Sequence, residues 1–162
     1  MPDQAVSFIN PQKKPISSLL AKGYNAPPDY TGVFMSYYFS KIVDDSFEDA
    51  IERVTGLLGD EGFGVLTTID VSGTLKKKLD VDFQRYTILG ACNPGYAHKA
   101  LTAEDKIGTM LPCNVIVQET KDGKVEVAAV DPMASMKAIE NETLGGIATE
   151  VREKLKAVID RL

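Results

Sequence analysis

The stretch NVIVQETKDGKVEVAAVDP, residues 114–132, contains two runs of β-branched and apolar residues separated by a polar turn. Residues 114–119 and 124–130 have a composition typical of strands. Between them, Asp122-Gly123 favours a two-residue type I′ turn, which suits the twist of paired strands. The stretch therefore predicts a β-hairpin, and with it an antiparallel sheet.

The turn also predicts which residues of the hairpin face each other, because a two-residue loop fixes the register. Counting outward from the turn brings Cys113 to the open end of the hairpin. The predicted facing pairs are Lys121 with Lys124, Val117 with Ala128, Asn114 with Asp131, and Cys113 with Pro132.

Three stretches before the hairpin also predict strands, residues 33–43, 64–69 and 86–91. Helical segments are mixed with the strands without strict βαβ alternation, which predicts an α+β fold: an antiparallel sheet with helices packed on one face. The predicted helical segments are a helix opened by Ser46 and ended by Gly59 and Gly62, a turn over 74–79, a helix over 94–101 capped by Asn93, a short helix from Asp131-Pro132 through Ile139, and an amphipathic helix over 144–162.

The first 32 residues differ from the rest of the chain. Five of the eight prolines lie there, and proline removes backbone donors and forbids long regular elements. We expect residues 1–32 to form an irregular proline-rich N-terminal arm and residues 33–162 to form a single α+β domain, a size at which a chain can bury an ordinary core.

Charge argues against a nucleic-acid binder. The formal net charge is −5, and the one dense basic run, Lys76-Lys77-Lys78, has no flanking aromatic residue. Proteins that bind nucleic acid usually show a basic stripe, and single-strand binders add exposed aromatics. Nucleic acid is therefore not an expected partner.

Two cysteines in 162 residues do not make a disulfide framework, and this composition needs no structural metal. No apolar run approaches the ~18–20 residues of a membrane span, so no membrane association is expected. The start, Met1-Pro2-Asp3-Gln4, lacks the basic and apolar segments of a signal peptide. These features predict a soluble cytoplasmic protein, with no cofactor.

The two cysteines are expected at one edge of the sheet. If strand 86–91 is the antiparallel neighbour of strand 114–119, the end of the first lies beside the start of the second. That adjacency is an assumption at this point. It would gather five candidate site residues, namely Cys92, Asn93, Cys113, Asn114 and Asp131.

Cys92 precedes the N-terminus of the predicted Pro94 helix, whose free N–H groups favour a thiolate. His98, the only histidine, lies in the same helix, and a Cys–His pair is the minimum for thiol catalysis. The alternative is that both cysteines are small buried core residues, where free cysteines usually lie, and that His98 is on the surface.

Soft-metal binding is a further alternative. Five sulfurs are expected near the same edge, and soft ligands suit Cu(I). No CxxC or HxxxH spacing accompanies them, and two methionines three residues apart are also typical of core packing. The sulfurs belong to Cys92, Met110, Cys113, Met133 and Met136.

Several stretches together resemble the prokaryotic domain of unknown function family 302 (DUF302). The resemblance covers residues 35–162, and its most distinctive pieces are ACNP at 91–94 and LPCNV at 111–115. The other pieces are YYFS at 37–40, EGFGVLT at 61–67, TLKKKL at 74–79 and AAVDP at 128–132. It implies a TATA-binding-protein-like topology and homodimers, and it implies no catalytic residue.

The leading hypothesis is therefore a homodimeric domain that binds a small ligand or a partner near Cys92 and Cys113. The hairpin or the first strand is also expected to leave a sheet edge that a second copy would cover. The alternatives are a thiol-dependent redox protein or enzyme using Cys92 with Cys113, and a Cu(I) or Zn(II) carrier.

Overall fold

Five antiparallel strands form one sheet in the computed structural model, which describes residues 36–137 and 139–162. The order across the sheet is β1-β5-β4-β3-β2, and every neighbouring pair is antiparallel. The strands are β1 (Tyr38–Val43), β2 (Gly64–Asp70), β3 (Tyr86–Cys92), β4 (Cys113–Glu119) and β5 (Val125–Val130). The α+β prediction is confirmed, whereas the TATA-binding-protein-like topology stays a prediction.

Five α-helices connect or follow the strands in the described residues, and side-chain caps begin all of them. Ser46 accepts a hydrogen bond from the Asp49 N–H, and its hydroxyl donates to the Asp49 carboxylate. Asp70, Asn93, Asp131 and Asn141 cap the others in order. The helices are α1 (Phe47–Asp60), α2 (Val71–Leu79), α3 (Pro94–Ala103), α4 (Pro132–Ser135) and α5 (Glu142–Arg161), with a 3-10 turn at Ile107–Met110.

Helices α1 and α5 cover one face of the sheet. Alternate residues of the central strands point toward them and are fully buried, as the two-residue period of a strand requires. This core includes Leu89, Val115, Val117, Val127 and Ala129 from the sheet, Ala50, Val54 and Leu58 from α1, and Val151, Leu155 and Val158 from α5. The prediction of helices on one face is confirmed.

The opposite face of the sheet carries an apolar row. Ile69, Ile88, Ile116 and Ala128 lie side by side on four neighbouring strands, with Ser40 completing the row on β1. Ile69 at its end is 47% exposed.

The predicted hairpin is present, but the turn type and the register predicted for it are wrong. Thr120 and Lys124 close the hairpin: the Thr120 N–H donates to the Lys124 carbonyl, and the Lys124 N–H donates to the Thr120 hydroxyl. The loop therefore has three residues, and only its last, Gly123, has a positive φ, of 74°. A type I′ turn needs two such residues.

The longer loop shifts the register by one residue, so that Val117 faces Val127 and not Ala128. The predicted pairs Asn114–Asp131 and Cys113–Pro132 are wrong for the same reason. The Asp131 N–H instead donates to the Tyr37 carbonyl, 2.7 Å away. The hairpin also lies inside the sheet, between β1 and β3, so β1 and β2 are the edge strands.

Several predicted boundaries differ from the observed ones, and a side-chain cap explains the first of them. Helix α2 begins at Val71 and not at Thr74, since the Asp70 carboxylate accepts from the Gly73 N–H. Gly59 lies within α1, and the positive φ of 83° belongs to Gly62. The strand predicted over 33–43 is observed over Tyr38–Val43, and the predicted arm, residues 1–32, lies outside the described residues.

None of the helices in the described part of the chain combines the length and the apolar character that a membrane crossing requires.

Candidate functional site

Four strands place their ends together on one side of the sheet, which we call the cysteine end (residues 62–64, 91–94, 111–114 and 130–132). Because the strands are antiparallel, β2 and β4 begin where β3 and β5 finish. Gly64 pairs with Cys92, and Ala91 pairs with Cys113. The predicted neighbourhood of Cys92 and Cys113 is therefore present.

An apolar cavity of about 30 Å³ lies at the cysteine end, between the sheet, α3 and α5. Its walls are mostly aliphatic or aromatic, and both cysteines contribute to them. The Tyr96 hydroxyl donates to the Glu150 carboxylate at 2.7 Å and so ties α3 to α5 across it. Other lining residues are Phe63, Ala91, Ala97, Leu111, Ile147 and Val151.

A larger groove of about 230 Å³ adjoins this cavity. The two share Leu111, Cys113, Pro132 and Met136 as a common wall. Thr109, Asn114 and Ser135 bring polar atoms to the groove, which the inner cavity largely lacks. The cysteine end thus combines a small apolar cavity with a larger, partly polar groove beside it.

Met136 borders a third hollow as well. That hollow, of about 190 Å³, is lined by Met136 and Ala148, which also line the apolar cavity. A methionine side chain has three rotatable bonds and adapts to irregular space. A change in the Met136 rotamer would therefore alter the volume of all three spaces together.

Cys113 is a buried neutral thiol. It is 8% exposed, and burial, with a smaller contribution from neighbouring Cys92, raises its pKa to about 11. Cys92 is half-buried, and the two cysteines are not bonded to each other. Because the thiolate is the reactive form of cysteine, Cys113 is unsuited to nucleophilic chemistry at neutral pH.

Asn93 occupies the helix N-terminus that was expected to favour a Cys92 thiolate. Its Oδ1 accepts from the Gly95 N–H at 3.2 Å and the Tyr96 N–H at 3.4 Å. A Cβ on Gly62 would lie 3.0 Å from its amide nitrogen, so the side chain is closely packed. Two of the free N–H groups are thus already engaged by Asn93.

Asn114 and Asp131, the other two candidate residues at the cysteine end, differ in role. Asn114 is exposed and lines the groove. Asp131 is 3% exposed and accepts from the Met133 N–H at 2.9 Å and from Arg152 Nε at 3.0 Å. Its carboxylate joins β5, α4 and α5, and it lines neither the cavity nor the groove.

His98 and two of the methionines lie apart from the cavity. His98 is exposed on α3 and is not among the residues that line the cavity with Cys92. Met110 and Met133 are 40% and 37% exposed; Met110 lines the groove with Cys113 and Met136, whereas Met133 lines the third hollow. Within residues 36–137 and 139–162, no cluster of three or more His, Cys, Asp or Glu side chains is arranged to hold a metal.

Sequence reasoning missed most of the cavity wall. Phe63, Tyr96, Leu111 and Ile147 are separated by long stretches of chain and meet only in the fold. One available signal was the small residues Ala97, Ala100 and Ala148, because small side chains on facing helices leave space between them.

Known proteins resemble this chain in sequence and in fold. A family model described as "Domain of unknown function DUF302" matches residues 39–162. A crystal structure of an uncharacterized conserved DUF302 protein from Bacillus stearothermophilus is similar, with a TM-score of 0.72, 29% identity, and coverage of 77% of this chain and 97% of that one.

A relative from Aquifex aeolicus (strain VF5), described as an uncharacterized protein, is 29% identical over 94 residues. The matched segment is 58% of this chain and spans only 59% of that relative's own length.

Proposed function

The chain belongs to the DUF302 family, and we propose that it is a homodimeric binding domain that takes a small, mainly apolar ligand at the cysteine end. One observation carries the proposal: the apolar cavity shares a wall with a larger groove, and the polar side chains lie in the groove. Ligand sites in proteins typically combine an apolar lining with a few placed polar groups.

The lining suggests the chemistry of the ligand. An apolar end would lie against Leu111 and Met136, where a neutral Cys113 thiol adds only a weak polar group. A hydroxyl or carbonyl at the other end would reach Asn114 and Ser135 in the groove. Short aliphatic alcohols have this character and serve as probes.

The thiol-dependent alternative gains less support. It requires a reactive thiolate, whereas the pKa of Cys113 is raised by burial and the helix N-terminus beside Cys92 is capped by Asn93. The soft-metal alternative requires converging sulfurs, whereas Cys92 lines the apolar cavity, Met110 the groove and Met133 the third hollow.

Titration with 1-hexanol, followed by amide chemical shifts, tests the ligand site. We expect saturable shifts of the amide signals of Ala91, Cys113 and Val151, which line the cavity. Ala97→Leu fills the cavity and should abolish them, whereas Ala157→Leu, at a half-buried position of α5 that lines neither the cavity nor the groove, should not. Shifts that do not saturate, or that survive in Ala97→Leu, would reject the proposal.

The apolar row on the sheet face opposite α1 and α5 supports the homodimer. Two copies packing the faces that carry Ile69, Ile88 and Ile116 would remove these side chains from water, as in sheet-on-sheet packing. A two-fold axis lets the same patch serve both subunits.

Light scattering of the full chain tests the dimer with a matched pair of variants. Ile69 and Leu101 are 47% and 46% exposed, and only Ile69 lies in the row. Ile69→Lys should give a monomer at tens of micromolar, and Leu101→Lys should stay dimeric. A wild-type chain that is monomeric under these conditions would contradict the proposal.

We also propose a cytoplasmic location, because free thiols suit a reducing compartment. Fractionation of cells that express the chain, with recovery outside the cytoplasm, would contradict it.

A further inference from the structure

A second recess lies at the opposite end of β3, which we call the arginine end (Phe47, Glu48, Ile51, Asp70, Ser72, Arg85 and Thr87). It has a volume of about 310 Å³ and opens between α1, the start of α2 and the start of β3. Asp70 and Thr87 are paired across β2 and β3, so their side chains lie on the same face of the sheet. Nothing proposed for the cysteine end uses these residues.

The charge of the arginine within this recess is already matched. Arg85 forms a two-pronged ion pair with Glu48, with Nη1 at 3.2 Å from one carboxylate oxygen, and it lies 3.7 Å from Glu119. Its guanidinium also lies 4.1 Å from the centre of the Phe47 ring. Asp70 therefore supplies an unmatched negative charge to the lining.

Asp70 uses only one of its two carboxylate oxygens. Oδ1 accepts from the Gly73 N–H and the Ser72 hydroxyl, both at 2.9 Å. These two hydrogen bonds, in that order, and the charge of Arg85 hold the pKa of Asp70 below its usual value. No described residue donates a hydrogen bond to Oδ2, and Asp70 is exposed, so this ionised oxygen is open to water or to a ligand.

Thr87 is a buried polar residue in the lining of the recess. It is 7% exposed, and its hydroxyl makes no hydrogen bond with any described residue. None of the described side-chain polar atoms is completely enclosed without a partner, so this hydroxyl reaches the surface of the recess. The Thr87 side chain is thus largely buried, while its hydroxyl faces the recess and is available to hydrogen-bond a bound molecule.

We propose that the arginine end binds a primary alkylammonium, a protonated amine on a short aliphatic chain. An ammonium has three N–H donors, and the residues that line the recess offer three acceptor oxygens, those of Asp70 Oδ2, the Thr87 hydroxyl and the Ser72 hydroxyl. The aliphatic chain would lie along Ile51 and the uncovered part of Phe47. An anion is disfavoured, because Arg85 is matched by Glu48 and the remaining charge is negative.

Calorimetric titration of the full chain with butylamine at low salt tests the proposal, and butanoate is the control with the opposite charge. Butylamine should bind with a millimolar Kd, and butanoate should not bind. Thr87→Val and Asp70→Asn should each weaken binding about tenfold or more, as loss of a hydrogen bond to a charged group does. Thr87→Ser keeps the hydroxyl and should restore binding.

Two surface variants control for nonspecific effects. Thr68→Val and Asp105→Asn make the same chemical changes at exposed positions outside the recess and should leave the Kd unchanged. Equal binding of butylamine by Thr87→Val and wild type, or equal binding of butanoate, would overturn the proposal.

A blocked lysine, Nα-acetyl-lysine methylamide, distinguishes a free amine from a lysine side chain of a peptide. If it binds as tightly as butylamine, the recess accepts a presented side chain; if it binds more weakly, the recess takes free amines. Absence of binding by both would overturn the proposal. The hexanol titration reports on the cysteine end, so either site can fail without the other.

Discussion

The two ends of the sheet each hold an arginine, a carboxylate and a phenylalanine ring in similar arrangements. At the cysteine end, Arg152 pairs with Asp131 and lies 5.3 Å from the centre of the Phe39 ring. At the arginine end, Arg85 pairs with Glu48 over Phe47. The Asp131 side chain is 4% exposed, whereas the Glu48 side chain is 69% exposed.

Because of this difference in burial, the two arginine–carboxylate pairs have different roles. A buried carboxylate must keep its partners, so Asp131 holds β5, α4 and α5 together and is unavailable to a ligand. An exposed pair is weak and can rearrange, so the Arg85–Glu48 pair can coexist with a recess that exchanges its contents. At the cysteine end, the space for a ligand lies beside the ion pair and not within it.

Replacing the carboxylate at each end with alanine should give the largest difference in the free energy of unfolding between the two ends. Asp131→Ala loses the cap of α4 and a charge-assisted hydrogen bond, and it should lower the free energy of unfolding by about 2–3 kcal/mol. Glu48→Ala should leave urea unfolding unchanged within error, because its pair is exposed to solvent. Similar losses in both variants would contradict the assignment of roles.

Asp131→Asn refines this test. Asparagine keeps the cap acceptor and the volume but removes the charge, so it should recover part of the stability lost in Asp131→Ala. No recovery would mean that the charge of Asp131 alone is responsible.

Alkaline pH should affect the cysteine end through its buried thiol. Burial raises the pKa of folded Cys113 to about 11, above the ~8.5–9 of an unfolded cysteine. The unfolded chain therefore loses this proton first, so the stability is fully present below about pH 9 and is lost as the pH rises toward 11. The loss reaches on the order of 2 kcal/mol at pH 11.

Urea unfolding of wild type and Cys113→Val at pH 8 and pH 10.5 measures this contribution, because the other titrating groups cancel in the difference. Wild type should lose more stability than the variant between the two values. Parallel pH profiles would show that Cys113 is accessible to water in the folded state, which would also weaken the case for an apolar cavity.

The cysteine end could be predicted in outline from the sequence because it depends on local order. Strands β3 and β4 follow each other along the chain, and an antiparallel pair brings the end of one to the start of the next. The register could not be predicted, since both loop lengths fit Asp122-Gly123. The Thr120 hydroxyl, bonded to the Lys124 N–H, belongs to the longer loop.

The arginine end could not be predicted, because its parts are individually ordinary. Glu48 lies in the first turn of a helix, Asp70 is a cap, and Thr87 is a strand residue. They form a recess only where α1 packs against β2 and β3. This packing brings together residues that are far apart in sequence, such as Arg85 and Glu48, which are separated by 37 residues. The burial that makes the Thr87 hydroxyl unusual has no signature in the sequence.

A glycine substitution tests how tightly the strands pack next to the cysteine end. A Cβ on Gly90 would overlap the Thr67 hydroxyl and lie 2.8 Å from the ring of Pro112. Gly90→Ala should therefore cost about 1–3 kcal/mol in urea unfolding, as overpacking does. Gly56→Ala, in an open position within α1, should instead stabilise by about 0.5–1 kcal/mol. A tolerated alanine at Gly90 would show that the strands can separate there enough to accept a Cβ.

The smallest expected effect concerns Thr87 and has the opposite sign. Thr87→Val replaces the hydroxyl of a largely buried residue, which has no partner in the described residues, with a methyl group, so it should raise the free energy of unfolding by about 0.5–1 kcal/mol. Thr68→Val, exposed on the neighbouring strand, controls for the general preference of strands for valine and should change stability less. If Thr87→Val destabilises the chain, its hydroxyl contributes to folding. If it stabilises the chain while butylamine binding is lost, the hydroxyl is kept at a cost in stability, as expected of a binding residue.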